Sequence, residues 1–214
     1  MKKYMVILIV GCVFIFTLFG CTNKVSNIDD NESESNVQAS EEIPESYFVS
    51  NENYFDYQTG LECAAFSSAY LLRNYGEEAS GMELFKDFPG KLAQGGITPY
   101  GIVDFFEGRG YTAEYVCDGT VEDLKGEIAK GAPVIVFIHV EEPYTNPHYT
   151  HYIPIVGYDK ENFYFAESLD YLANGKNEKG VIYNRKTDIE KFKKLWTNID
   201  NMWDNPYFTI SKET

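Results

Sequence analysis

The stretch "QTGLECAAFSSAYLLRNYG", Gln58 to Gly76, places one cysteine at the head of a run that carries no charge until Arg73. Its Ala and Leu content predicts a helix from Cys63 to Leu72, and Gly76 supplies a common stop. A helix uncharged over that length is buried nearly all round, so it is expected to be the central core helix of the fold. Cys63 stands at its mouth, where a helix N-terminus stabilises negative charge and favours the reactive thiolate. Three readings of this cysteine are open here. It is a small buried hydrophobe, half of a disulfide, or a nucleophile.

Working outward, Thr98-Pro99 opens a second helix, cap then first-turn proline, with Ile102, Phe105 and Phe106 on one face. It stops at Gly108 and Gly110. Thr120 begins a third, with Leu124 and Ile128 one turn apart and Gly131 ending it. The period then changes. "PVIVFIHV", Pro133 to Val140, is a continuous β-branched run and reads as a buried strand. His151 to Tyr158 and Phe163 to Ala166 flank the polar turn "DKEN" and predict an antiparallel hairpin. Thr187 to Trp196 reads as a last helix with a Thr187/Glu190 capping box and Ile189, Phe192 and Trp196 inward. "PYFTI", 206–210, is expected to close the sheet. Helices first and mostly antiparallel strands afterwards give an α+β class.

The 214 residues carry a formal net charge of -15, which argues against nucleic acid and against electrostatic adhesion to anionic lipid. Lys2 and Lys3 precede an uncharged apolar run, Tyr4 to Gly20, short for a spanning helix and laid out like an export signal. A plain membrane anchor is the other reading of that run. Thr22 to Tyr47 holds seven acidic residues against Lys24 alone and has almost nothing large and apolar. Such a segment does not bury enough surface to fold, and it spans roughly 30 Å root-mean-square as a flexible tether. The expected organisation is a leader over 1–20, a tether over 21–48 and one domain over 49–214.

A thiolate at a helix mouth needs an imidazole to hold and carry its proton, and a third polar group to orient that ring. The chain has three histidines. His139 ends the buried run and reads as a strand residue. His148 lies in the loop "EEPYTNPHYT". His151 opens the strand "HYIPIVGYD", where a rigid element would aim it at the helix mouth, so His151 is the favoured base and His148 the alternative. Glu167 follows His151 by 16 residues across the hairpin, and Asp170 is the other acid. An odd-length turn puts Glu167 on the face of His151, whereas a plain four-residue turn puts Asp170 there. Gln58, five residues before Cys63, is close enough for its amide to donate to an oxyanion formed at the thiol. A Cys63–Cys117 disulfide fits an oxidising compartment. No metal constellation stands out, and "QGGITPYG" has neither the lysine nor the spacing of a phosphate loop.

Taken in order, Gln58, "LECAAFSSAYLLRNYG", "KGAPVIVFI", "HYIPIVGYD" and "FYFAESL" resemble the papain-like cysteine peptidases of family thirty-nine. The nearer likeness is to free-standing relatives of its double-glycine leader peptidases, many of them bacterial lipoproteins. It covers about residues 50–210. The resemblance implies a papain-like cysteine peptidase fold, with Cys63 as nucleophile, His151 as base and Gln58 at the oxyanion hole. Glu167 falls where the family usually has aspartate, and Ala64-Ala65 stand where it often has Gly-Pro. The ending "LFGC" resembles a lipobox, which makes Cys21 the lipidated residue and places the domain on the outer face of a cell membrane. No transporter or nucleotide-binding segment accompanies it, so export of a bacteriocin is not implied.

The expected function is therefore a membrane-tethered extracytoplasmic cysteine peptidase or amidase acting through Cys63, His151, Glu167 and Gln58 without a cofactor. Its partners would be a peptide or a peptidoglycan-related substrate. The alternative is a catalytically inactive peptidase fold kept as a binding module for a peptide or a cell-wall ligand. A third reading, a cell-wall hydrolase of a related papain-like class, differs in its muropeptide products.

Overall fold

The computed structural model describes residues 42–49, 52–140, 149–174, 183–197, 199 and 204–212. The elements run in the order β1 (Tyr47–Phe48), α1 (Cys63–Asn74), α2 (Gly81–Lys86), α3 (Pro99–Glu107), β2 (Tyr111–Val116) and α4 (Val121–Ala129). They continue with β3 (Val134–His139), β4 (Thr150–Tyr158), β5 (Asn162–Phe165), β6 (Arg185–Asp188), α5 (Ile189–Trp196) and β7 (Tyr207–Lys212). The strands form one antiparallel sheet in the order β2-β7-β3-β4-β5-β6, with β1 beside β4. The class is α+β, with helices on both faces of the sheet.

The run "VIVFIH" explains why the sheet is covered twice. Ile135 and Phe137 pack with Leu71, Ile102, Phe106 and Phe208 on the side of α1 and α3. Val134, Val136 and Ile138 pack with Leu124, Ile128, Phe192 and Trp196 on the side of α4 and α5. A strand buried on both faces reads as continuous rather than alternating. Helix α1 is buried from Ala64 to Asn74, as its uncharged sequence predicts. The Thr98 hydroxyl accepts from Gly101 N to cap α3, and Thr120 and Asp123 form a reciprocal capping box on α4.

Two local expectations change, and a third gains its place in the sheet. Thr187 is not a helix cap. It pairs with Phe163 in β6, where a β-branched residue fits the pleat, and the Asp188 carboxylate caps α5 by accepting from Lys191 N. "PYFTI" joins the sheet as expected, in β7, which runs between β2 and β3. Tyr47 and Phe48, read as the end of the tether, pair with Tyr158 and Gly157, and the Tyr158 hydroxyl donates to the Pro44 carbonyl at 3.0 Å. Packing therefore begins ahead of residue 49. Strand β2, whose "YTAEYV" alternates between buried and exposed, and helix α2 complete the layers. Among the described residues no helix is long and apolar enough to cross a membrane; the leader and Cys21 lie outside them.

Candidate active site

The mouth of α1 meets the start of β4. Cys63 opens the helix as a free, half-buried thiol, so the Cys63–Cys117 disulfide is not formed. Cys117 lies in the core cluster beside α1 and α3. One helical turn after Cys63, the buried Ser67 hydroxyl donates to the Tyr152 carbonyl at 2.9 Å. Tyr152 in turn donates its own hydroxyl to the Ile97 carbonyl at 3.1 Å. These bonds fix the helix mouth against the strand residue that follows His151.

The register of the hairpin decides which acid meets His151. Tyr158 pairs with Phe163 across a four-residue turn, which taken alone would bring Asp170 to the face of His151. Between Ile155 and Gly157 the register slips by one, so that Ile155 pairs with Phe165 and Ala166 N donates to the Pro154 carbonyl at 3.0 Å. Val156 is the extra residue, and its carbonyl accepts from Val49 N at 2.9 Å. A one-residue slip exchanges the faces of everything beyond it. Glu167 is thereby placed on the face of His151, while Asp170 is exposed at the start of a 3-10 turn, Asp170–Leu172.

His151 is 1% exposed, and its Nε2 lies 2.8 Å from Glu167 Oε1. The Cys63 side chain is the second hydrogen-bonding group acting on the ring. Burial alone would push the imidazole down. The Glu167 carboxylate and the hydrogen bond to Cys63 outweigh it and raise His151 from its ordinary 6.5 to about 9. For Glu167, burial alone would favour the neutral acid, but the charge and hydrogen bond of His151, then Arg185 and the Leu169 N–H, lower it from 4.5 to about 2. At neutral pH the pair is therefore an imidazolium against a carboxylate.

Glu167 is held at every polar atom. Oε1 also accepts from Leu169 N at 2.7 Å, and Oε2 accepts from Arg185 Nη1 at 2.7 Å. The Asn184 side-chain amide accepts from Glu167 N at 2.6 Å and donates to Glu167 O at 2.8 Å. Sequence reasoning missed Asn184 and Arg185.

Gln58 is tied to the same segment. Its N–H donates to the Ser168 carbonyl at 2.9 Å, and the Ser168 hydroxyl donates to Gln58 Oε1 at 2.6 Å. The amide nitrogen gives one hydrogen to the Gly60 carbonyl at 2.7 Å. Arg73 anchors the strand of chain leading to Gln58, donating to Asn53 Oδ1 at 2.8 Å and to the Tyr54 carbonyl at 3.0 Å. His139 is buried at the end of β3. His148 lies outside the described residues. Among those residues no group of His, Cys, Asp or Glu is arranged to hold a metal ion.

A model of the peptidase C39-like family matches residues 49–202. Among solved structures the chain is similar to a C39-like peptidase from Bacillus anthracis, with 18% identity, a TM-score of 0.58, and 80% of this chain and 100% of that one covered. It is similar to the Carica candamarcensis cysteine protease CMS1MS2, solved with E-64, at 13% identity and a TM-score of 0.54, covering 80% of this chain and 100% of that one. A double glycine motif protease from an AMS/PCAT transporter, solved with the leader peptide, shares 13% identity at a TM-score of 0.50, covering 76% and 93%. At these identities the likeness establishes the fold, a papain-like one. No curated protein matches the chain.

Proposed function

The chain belongs to the peptidase C39-like family, and on that premise we propose that it is a membrane-tethered extracytoplasmic cysteine peptidase that hydrolyses a peptide or amide bond. One observation carries the reading: the buried His151 stands between a free thiol at a helix mouth and the Glu167 carboxylate. Sγ of Cys63, its proton already carried by His151, attacks the carbonyl carbon. The oxygen of the tetrahedral intermediate is held by the Cys63 N–H and by the second hydrogen of the Gln58 amide. His151 returns the proton to the nitrogen as the C–N bond breaks, which releases the amine and leaves a thioester. Water, deprotonated by His151, then attacks the thioester, freeing the acid product and restoring the Cys63 thiolate beside the His151 imidazolium. Glu167 keeps the ring turned toward Cys63 throughout.

A peptide substrate is in keeping with the related protease solved with its leader peptide. The tether reading rests on the layout of Lys2, Lys3, the apolar run and Cys21. It predicts that the mature chain begins at a lipid-modified Cys21, and that Cys21→Ser releases the protein from the membrane fraction.

The test of catalysis uses the full chain in detergent against a peptide library read by mass spectrometry. Wild type is expected to cleave and Cys63→Ala to fold but not cleave; turnover retained by Cys63→Ala would sink the proposal. Peptide binding without cleavage, indifferent to Cys63→Ala, would transfer the protein to the binding-module alternative.

A further inference from the structure

Glu167 faces two cations, not one. Its side chain is fully buried, yet Oε1 meets His151 and Oε2 meets Arg185, each below 3 Å. The guanidinium is itself 8% exposed at the side chain and lies 5.9 Å from the Phe165 ring centroid, so this is an ion pair inside the protein rather than on its rim. Among the described residues, the titratable groups brought to His151 are Glu167 and Cys63, and those brought to Glu167 are His151 and Arg185. Consecutive residues, Asn184 and Arg185, grip the acid by backbone and side chain respectively.

The charge count of this cluster explains why a second cation matters. A carboxylate buried against an imidazolium alone is compensated only while the ring keeps its proton. When the ring gives that proton away, the carboxylate is left buried and unpaired, which is costly. The ring would then hold its proton too tightly to act as an acid. A guanidinium, which does not deprotonate in proteins, removes this conflict.

We propose that Arg185 is a positioning residue of the catalytic site: it keeps Glu167 Oε2 occupied so that Oε1 stays on His151, and it is the permanent counter-charge that lets His151 release its proton. The extra methylene of glutamate, compared with aspartate, gives the carboxylate the reach to span both partners. The inference rests on the reading of His151 as the proton carrier, but its test needs no substrate.

The experiment is a ring-labelled histidine NMR titration of the full chain, with His151 identified by its disappearance in His151→Gln. In Arg185→Met the His151 midpoint is expected to rise by about one pH unit or more, because a nearby positive charge has been removed. Arg185→Lys, which keeps the charge, is expected to stay near wild type. An unchanged or lowered midpoint in Arg185→Met overturns the proposal. Should that variant unfold, the pair Arg185→Met and Glu167→Gln/Arg185→Met decides. The two are compared at a pH above the His151 midpoint, where the ring no longer compensates the carboxylate. There a stranded carboxylate makes the single variant less stable than the double, whereas a double no more stable than the single means Arg185 serves packing alone. Peptide turnover enters neither arm, so failure here is distinct from failure of the peptidase reading.

Discussion

The Ser67 hydroxyl and the Tyr152 carbonyl, 2.9 Å apart and both buried, hold the mouth of α1 to the start of β4. Ser67 is one turn from Cys63, and Tyr152 is the neighbour of His151. Cutting this bond should therefore be felt both in stability and in chemistry. Ser67→Ala is expected to cost about 1 kcal/mol in urea unfolding and to slow alkylation of Cys63 by iodoacetamide. A variant equal to wild type in both assays would remove the clamp from the account.

The His151–Glu167 pair makes stability depend on pH in a definite direction. His151 is raised from 6.5 to about 9, so its contribution is complete below 6.5 and is lost as pH rises through about 9. Glu167 is lowered from 4.5 to about 2, so its contribution is complete above 4.5 and is lost as pH falls through about 2. The two together stabilise most between 4.5 and 6.5. The difference in unfolding free energy between wild type and His151→Gln should be largest in that window and shrink toward pH 9; a difference that grows on going alkaline contradicts the assignment.

Glu167→Gln removes the anion between two buried cationic groups and leaves Arg185 without its partner. Breaking a buried pair from one side typically costs about 3–5 kcal/mol. Glu167→Asp keeps the charge but shortens the arm, and it is expected to fold while losing contact with either His151 or Arg185. Denaturant midpoints of the two variants should therefore differ clearly, with the glutamine variant lower.

Gln58 and Cys63 separate the oxyanion function from the thiol. Gln58→Ala should lower peptide hydrolysis by about 10²–10³-fold, the usual cost of one oxyanion donor, while alkylation of Cys63 by iodoacetamide proceeds at the wild-type rate. Equal losses in both would show that Gln58 acts by supporting the local chain, through its bonds to Ser168 and Gly60.

Local sequence was enough for the elements whose signal is local. The uncharged run after Cys63 specified a helix buried all round, Thr98-Pro99 and Thr120 specified helix starts, and "VIVFIH" specified a strand covered on both faces. The order of Gln58, Cys63 and His151 followed from those elements. Tertiary structure decided what depends on parity and on distant partners. The choice of Glu167 over Asp170 turned on one extra residue, Val156, because a single slip in an antiparallel ladder reverses every face beyond it. The place of β7 between β2 and β3 needs pairings as distant in sequence as Tyr111 with Lys212 and Ile135 with Phe208, which no local period encodes. Asn184 and Arg185 became part of the site for the same reason: their bonds to Glu167 span 17 and 18 positions, and only the adjacency of β5 and β6 brings them within reach of it.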